Sequence, residues 1–464
     1  MVSQNQFNAR TDSLIVNKLK LVGPIQKKQW PRRAFLGYLH NSSTMQMLLQ
    51  QVLIQDKRSP HHGQRLDLFI ENGIIHSIGH NLSAPDSVAR FSDNDLIVSP
   101  GWMDSMAHFC DPGEEHRETL ISGALAAAAG GFTDVLILPN THPTLDTGAS
   151  IRAIRQRSST LPVTIHSMGA ISAACEGHQL AEMYELDHEG VLAFSDGLHP
   201  VQDSGLLLKA MQYVLPTGKP IIQLPDDRRI APKGHMHEGI ISTQLGIPAR
   251  PSLQEELMVY RDIELLQYTG SRLHLTGIST RKSVAMIRSA KQQGLTLSAS
   301  CSPWHLLYCD DDLQTYDTLL KLNPPLRTAD DRHALLEGLL DGTIDTVASH
   351  HIPQHLDTKR CSFEEASFGA ESLETVFPIL LATVKDLDKI MSLLTTMPRT
   401  IFGLTQPVID IGNKAVLTIF DTTSIYTFDQ TYIHSKSANN PLIDKSLHGR
   451  VHGIVNGTHS NLFS

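Results

Sequence analysis

The sequence predicts an α/β fold, a (β/α)8 TIM-like barrel accompanied by a small β unit drawn from both chain ends. Three observations carry this. Through the middle of the chain, short apolar strand candidates alternate with amphipathic helix candidates, the pattern of a parallel sheet. Eight such strands can be counted, which is the number of a closed barrel. Both flanks carry strand runs and turn signals without helices between them. A doubly wound open sheet is the second reading. It lacks its usual support, because neither G-x-G-x-x-G nor G-x-x-x-x-G-K-[ST] occurs.

Taken in order, residues 1–44 stand apart, with seven basic residues and the single acid Asp12. No apolar core followed by a small-residue cleavage site is present, which argues against a secretory signal. The segment is read as a poorly ordered extension or as translation from too early a start, with Met45 or Met47 as the alternative start and a transit peptide as the lesser option. A hairpin follows over 66–78. Asp67–Ile70 and Ile74–Ile78 flank Glu71-Asn72-Gly73, and Asn-Gly is a strong turn signal. Barrel strands are expected at 103–108, 134–138, 163–168, 190–194, 219–223, 272–276, 295–299 and 344–348. Helices are expected at 115–130, 176–189, 203–214, 253–269, 280–293, 330–341 and 371–385. The run Ala415–Phe420 and the segments punctuated by Gly449, Gly453 and Gly457 supply strands from the tail. The expected domains are 1–44, then 45–99 together with 400–464, and 100–399 for the barrel.

Composition narrows the function classes. The chain has 464 residues, 41% hydrophobic and 19% charged, enough apolar material for a large core and too much for wholesale disorder. Its net charge of −9 argues against general nucleic-acid binding, which needs a concentrated basic surface. The five cysteines are scattered with no C-x-x-C pair, so a zinc ribbon and a disulfide scaffold are not suggested. Reduced thiols and a cytoplasmic location are expected. The longest apolar stretch, 121–139, is interrupted by Ser122, Thr133 and Asp134, so no membrane span is expected.

Several ordered motifs carry a resemblance. They are Pro100-Gly101-Trp102-Met103-Asp104, Asp111-Pro112-Gly113, Ala126–Thr133 and Leu138-Pro139-Asn140-Thr141-His142-Pro143. Further along come Phe194-Ser195-Asp196, Lys321–Arg327, Gly342–Asp345, Leu373-Glu374-Thr375 and Ile401-Phe402-Gly403-Leu404. Together, over roughly 45–457, they resemble the dihydroorotases of the amidohydrolase superfamily. The resemblance implies a (β/α)8 barrel with a small β-sandwich domain formed by both chain ends. It also implies zinc, and a metal-bound hydroxide that opens or closes a cyclic amide in pyrimidine biosynthesis. A metal makes hydroxide available near neutral pH and needs several ligands around an open position.

The ligand positions that the resemblance implies are largely altered. The family's H-x-H, whose i, i+2 spacing aims two imidazoles at one face of a strand, reads Met106-Ala107-His108. Asp196 stands at the bridging aspartate. Leu224 and Gly277 stand at two further histidines, and His350 at the catalytic aspartate of the T-D-H-A-P-H motif. A thioether is a poor zinc ligand, and Leu and Gly have no donor at all. The arginine that grips the substrate carboxylate corresponds to Cys110. Asn140, Asn323 and His351 fit substrate-contacting positions.

Each residue also has a plainer reading. Asp196 near a strand end could equally cap a helix. Cys110 is more simply a structural thiol than a nucleophile. Asn140, Asn323 and Arg327 could hold loops. A vestigial metal set of His108, Asp196 and His350, with His351 beside it, is the sharper alternative. Three functions follow. The first is a non-catalytic homologue acting as a structural partner of aspartate transcarbamoylase, forming homo-oligomers and carrying no cofactor. The second is an active cyclic amidohydrolase with a rebuilt site. The third is a ligand-binding or sensing module using the old pocket for a ureido acid or related ligand. Metal content separates the first two, and ligand-induced thermal stabilisation separates the third.

Overall fold

Eight parallel strands wind in chain order around one axis in the computed structural model, which describes residues 45–462. The expected extension 1–44 lies outside the described residues. The barrel strands are β6 (Trp102–Ala107), β7 (Phe132–Ile137), β8 (Thr164–Gly169), β9 (Ala193–Phe194), β10 (Ile221–Gln223), β13 (Leu273–Leu275), β14 (Leu297–Cys301) and β15 (Thr346–Val347). Each falls on one of the eight expected strands. A short pair outside the barrel, β11 (Met236–His237) and β12 (Ala249–Arg250), interrupts the numbering. The ring closes through a parallel bridge between Ala107 and His351, where the His108 N–H donates to the His351 carbonyl at 2.8 Å. Closure therefore occurs at the strand ends where barrels of this class carry their sites.

The strands are apolar on both faces because helices cover them outside and side chains fill them inside. Phe132, Val135 and Ile137 belong to the outer layer, with the helix Leu120–Ala129 upon them. That helix is rich in alanine, and Gly123 lets it approach Phe109: a Cβ there would stand 2.6 Å from the ring. Inside, Met103, Met106, Leu136, Leu138, Met168, Ile222 and Leu224 form a separate apolar cluster. The barrel is thus a packed core.

Helix boundaries follow capping chemistry. Thr119, Thr147, Asp203, Thr280 and Thr328 each accept a backbone N–H of the first turn. Gly270 and Gly342 end two helices in the left-handed region. Three expected helices are shorter than read. The segment 115–130 becomes helical only at Leu120, after the Asp111-Pro112-Gly113 turn. The segment 176–189 shrinks to Met183–His188, and 371–385 to a short turn followed by Val376–Thr383. The helix Gly148–Ser158 was not expected. It buries only Gly148, Ile151, Ile154 and Ser158, too narrow a stripe to read clearly against its arginines.

Both chain ends build one further sheet. It joins β1 (Gln46–Ile54), β2 (Arg65–Glu71), β3 (Ile74–Gly79), β4 (Ala89–Ser92) and β5 (Ile97–Pro100) to β16 (Val416–Phe428), β17 (Lys445–Asn456) and β18 (His459–Leu462). The two ends meet where β5 pairs antiparallel with β16, Val98 opposite Ile419. The expected hairpin is β2–β3, with Asn72 and Gly73 both at positive φ. Only glycine fits at 73, because a Cβ would lie 2.4 Å from the Gly457 carbonyl carbon. Leu49, Val52, Leu68, Ile70, Leu417 and Val455 form this unit's own core. Among the described residues no helix is long and apolar enough to cross a membrane.

Candidate functional site

The C-terminal ends of the barrel strands bring four of the altered family positions together. Met106, at the end of β6, receives the Thr276 hydroxyl on its sulfur at 3.4 Å. The same hydroxyl lies 3.1 Å from His350 Nε2. Gly277, at φ 68°, faces Leu224 and His350: a Cβ there would stand 2.6 Å from Leu224 Cδ1 and 2.8 Å from His350 Cε1. Met106, Leu224, Gly277 and His350 thus share one small volume, which methyl groups and an imidazole fill. Behind it runs a polar chain, His274 to the Ser300 hydroxyl at 3.0 Å and Ser300 to Thr276 at 2.9 Å. Burial, with His305 and His274 nearby, pushes the His350 pKa down to about 3, so this imidazole is neutral at pH 7.

The two retained family positions are turned to other work. Asp196 accepts the backbone N–H groups of Ile171 and Ser172, each at 2.9 Å, and the Ser172 hydroxyl at 2.5 Å. Burial pushes its pKa up to about 6 against those hydrogen bonds. It holds the loop after β8 and caps no helix, so the plainer reading of a helix cap is corrected to a loop anchor. His108 accepts the Cys110 N–H on Nδ1 at 3.1 Å, with the Cys110 sulfur 2.9 Å from the same atom. Its Nε2 is 3.2 Å from the Asn140 carbonyl, which assigns the proton to Nε2. Burial, then the Arg117 charge, takes its pKa down to about 4. Burial pushes the Cys110 thiol up to about 12, which leaves no thiolate for nucleophilic attack at pH 7.

The expected substrate-contacting residues are likewise engaged within the protein. Asn140 Oδ1 accepts the Leu198 N–H at 3.2 Å. Asn323 Oδ1 accepts from Arg250 at 2.8 Å, and Arg250 pairs with Asp226 at 2.5 Å, where Gln254 also donates at 2.6 Å. The residual cavity beside this knot measures about 10 Å³, room for one water. His351 is fully buried, 3.3 Å from Glu118 and edge-on to Phe109. Arg327 donates to the Ser279 hydroxyl at 3.0 Å and lies 3.7 Å from Glu255.

The zinc implied by the resemblance does not fit the residues present. Leu224 and Gly277 offer no donor, Met106 offers a thioether already bonded to Thr276, and Asp196 is turned to Ser172. His108, Asp196 and His350 do not gather into one ligand group. The group that does form at the mouth is His108, Cys110 and Glu114, with ligand atoms within 4.8 Å of one another. A cation there would have to displace Arg117, whose guanidinium lies 2.7 Å from Glu114. Sequence reasoning missed Glu114, although its place in the turn after Cys110 was a usable signal. It also missed Asp226, Arg250 and Glu118, which carry no metal-like spacing.

Comparison with known proteins supports the fold and the family. Residues 95–283 match the family model described as dihydro-orotase-like. A dihydroorotase of Geobacter metallireducens is 36% identical over 389 residues, 83% of this chain and 92% of that protein. A dihydroorotase of Anaeromyxobacter sp. is 37% identical over 396 residues, 84% of this chain and 92% of that protein. Among solved structures, an L-hydantoinase from Arthrobacter aurescens covers 90% of this chain and 96% of its own at a TM-score of 0.76 and 20% identity, which speaks for the fold alone. A D-hydantoinase from a Thermus species gives 0.76 at 19% identity, covering 90% and 95%. Motifs, barrel closure and relatives agree, and the chain belongs to the dihydroorotase family.

Proposed function

We propose that this chain is a dihydroorotase-family barrel that has given up metal-hydroxide chemistry and acts as a structural partner of aspartate transcarbamoylase, itself assembled as a homo-oligomer. The observation that supports this reading is the packing of Leu224 against Gly277 and His350. Leu224 Cδ1 and His350 Cε1 stand where a side chain at 277 would begin, which leaves no room there for an imidazole. A fold persists when its site is lost, and a barrel so filled still presents its outer surface.

Two measurements on purified protein test the reading. Metal analysis should find well under one zinc per chain, and dihydroorotate should not be hydrolysed. Co-purification with aspartate transcarbamoylase from cells producing both proteins should give a stable complex. Stoichiometric zinc with robust turnover overturns the catalytic half, and separate elution overturns the partnership. The second reading, an active hydrolase with a rebuilt centre, is favoured by one observation, the His108–Cys110–Glu114 group. Under that reading, Cys110→Ser would abolish both metal binding and turnover.

A further inference from the structure

A cleft of about 870 Å³ opens on the same face of the barrel, off its axis. Its walls are the loops that follow β7, β8, β9 and β10. None of His108, Asn140, Leu224, Gly277, Asn323 or His350 lines it. It is therefore separate from the filled family site, and what it binds is independent of whether that site is active.

The lining is basic in a chain of net charge −9. Lys209 projects from the helix Ser204–Tyr213, and Arg228 and Arg229 come from the loop after β10. None of the three makes an ion pair among the described residues. His142, His178 and His199 add imidazoles. Burial, then Arg228 and His142, holds the His199 pKa below its usual value. Two carboxylates lie on the wall. Both set a negative charge against the three cations: Glu176, and Asp203, which the Leu206 N–H orients at 2.7 Å as the helix cap.

The arginine loop is held in place before any ligand arrives. Gln202 accepts the Arg228 N–H at 3.0 Å and donates to the carbonyls of Pro200 at 2.9 Å and Asp226 at 3.1 Å. The Arg228 guanidinium reaches the Leu198 carbonyl, and Asp227 accepts the Arg229 N–H at 2.9 Å. Preorganised cations cost less to bring to a ligand than mobile ones. Guanidinium forks and an ammonium suit phosphate oxygens in number and charge, and the volume is that of a small-molecule site. We propose that this cleft binds a phosphate-bearing small molecule, with its phosphate oxygens taken by Lys209, Arg228 and Arg229.

The test uses the full chain and inorganic pyrophosphate as probe, titrated by calorimetry at constant ionic strength, with succinate as a parallel arm. Saturable pyrophosphate binding is expected. It should weaken at least tenfold in Arg229→Glu and several-fold in Lys209→Ala. Both side chains lack an ion-pair partner, so both variants should melt with the parent. Should Arg229→Glu fail to fold, Lys209→Ala and Arg229→Gln carry the comparison. Absence of saturable pyrophosphate binding, binding unchanged in the variants, or succinate binding as tightly as pyrophosphate each overturns the proposal.

Discussion

Leu224 Cδ1 lies 2.6 Å from the point where a Cβ on Gly277 would stand. The two residues are therefore complementary: glycine at 277 is what lets leucine at 224 fill the end of the barrel. Gly277 also sits at φ 68°, where other residues are strained. Gly277→Ala should cost about 1–3 kcal/mol, combining overpacking with backbone strain. In the Leu224→Ala background the clash with leucine should vanish, while the close approach to His350 Cε1 at 2.8 Å and the backbone strain stay. The two substitutions should thus be non-additive by more than ~0.5 kcal/mol in a urea-unfolding cycle. Strict additivity would show that the side chains do not meet.

The same relationship governs repair of the site. Met106→His alone should leave zinc affinity at the level of the parent, because Leu224 and Gly277 still contribute no ligand. Competition with a chromophoric chelator measures this directly. A large gain from the single substitution would mean that His108, His350 and the new imidazole already suffice.

The barrel was legible because parallel strands flanked by capped helices leave a strong periodic trace. All eight strands could be read from short apolar runs such as Val135–Leu138. The losses at Met106, Leu224 and Gly277 were legible for a simpler reason, since the absence of a donor atom needs no geometry. What the sequence could not disclose was where a retained side chain points. Asp196 keeps its family identity yet turns to Ser172. Asn323 keeps its identity and is taken by Arg250, a residue on a separate short strand. Such commitments depend on loops distant in sequence, and residue type alone does not record them.

A buried ion pair anchors the opposite end of the barrel. Arg399 donates to the Gly101 carbonyl at 2.7 Å and pairs with Asp134 at 2.6 Å, while His166 lies 2.9 Å from the same carboxylate. Burial pushes the Asp134 pKa up, but His166 and then Arg399 outweigh it and hold it at about 2. A carboxyl depressed on folding adds stability above its unfolded pKa, near 4, and loses it as pH falls toward 2. The contribution is ~2 kcal/mol. Arg399→Met should cost roughly 3–5 kcal/mol at pH 7 by leaving Asp134 without its guanidinium. It should also shrink the loss of stability between pH 4 and pH 2. An acid-unfolding profile parallel to that of the parent would rule this out.

Glu371 titrates in the opposite sense. It is fully buried beside Glu374, 3.7 Å from His351, and accepts from Asn440 Nδ2 at 2.5 Å. Burial, then the neighbouring Glu374, pushes its pKa up to about 8, against the pull of His351 and Asn440. The folded chain therefore holds a proton that the unfolded chain releases from about pH 4.5 upward. Stability contributed by this group is greatest below pH 4.5 and declines as pH rises, levelling off above about pH 8. Glu371→Gln keeps an acceptor for Asn440 and removes the titration. Relative to the parent, the variant should gain stability from pH 5 to about pH 8 and level off above it, read as melting temperature in matched buffers. The difference between the two curves reports Glu371 together with the change its loss causes at the neighbouring Glu374. Lys359, whose pKa burial pushes down to about 7, favours folding at higher pH in both proteins and so cancels. A flat difference curve would mean that Glu371 is ionised in the fold. Asn440 and the segment it anchors would then be held by a buried charge instead of a protonated carboxyl.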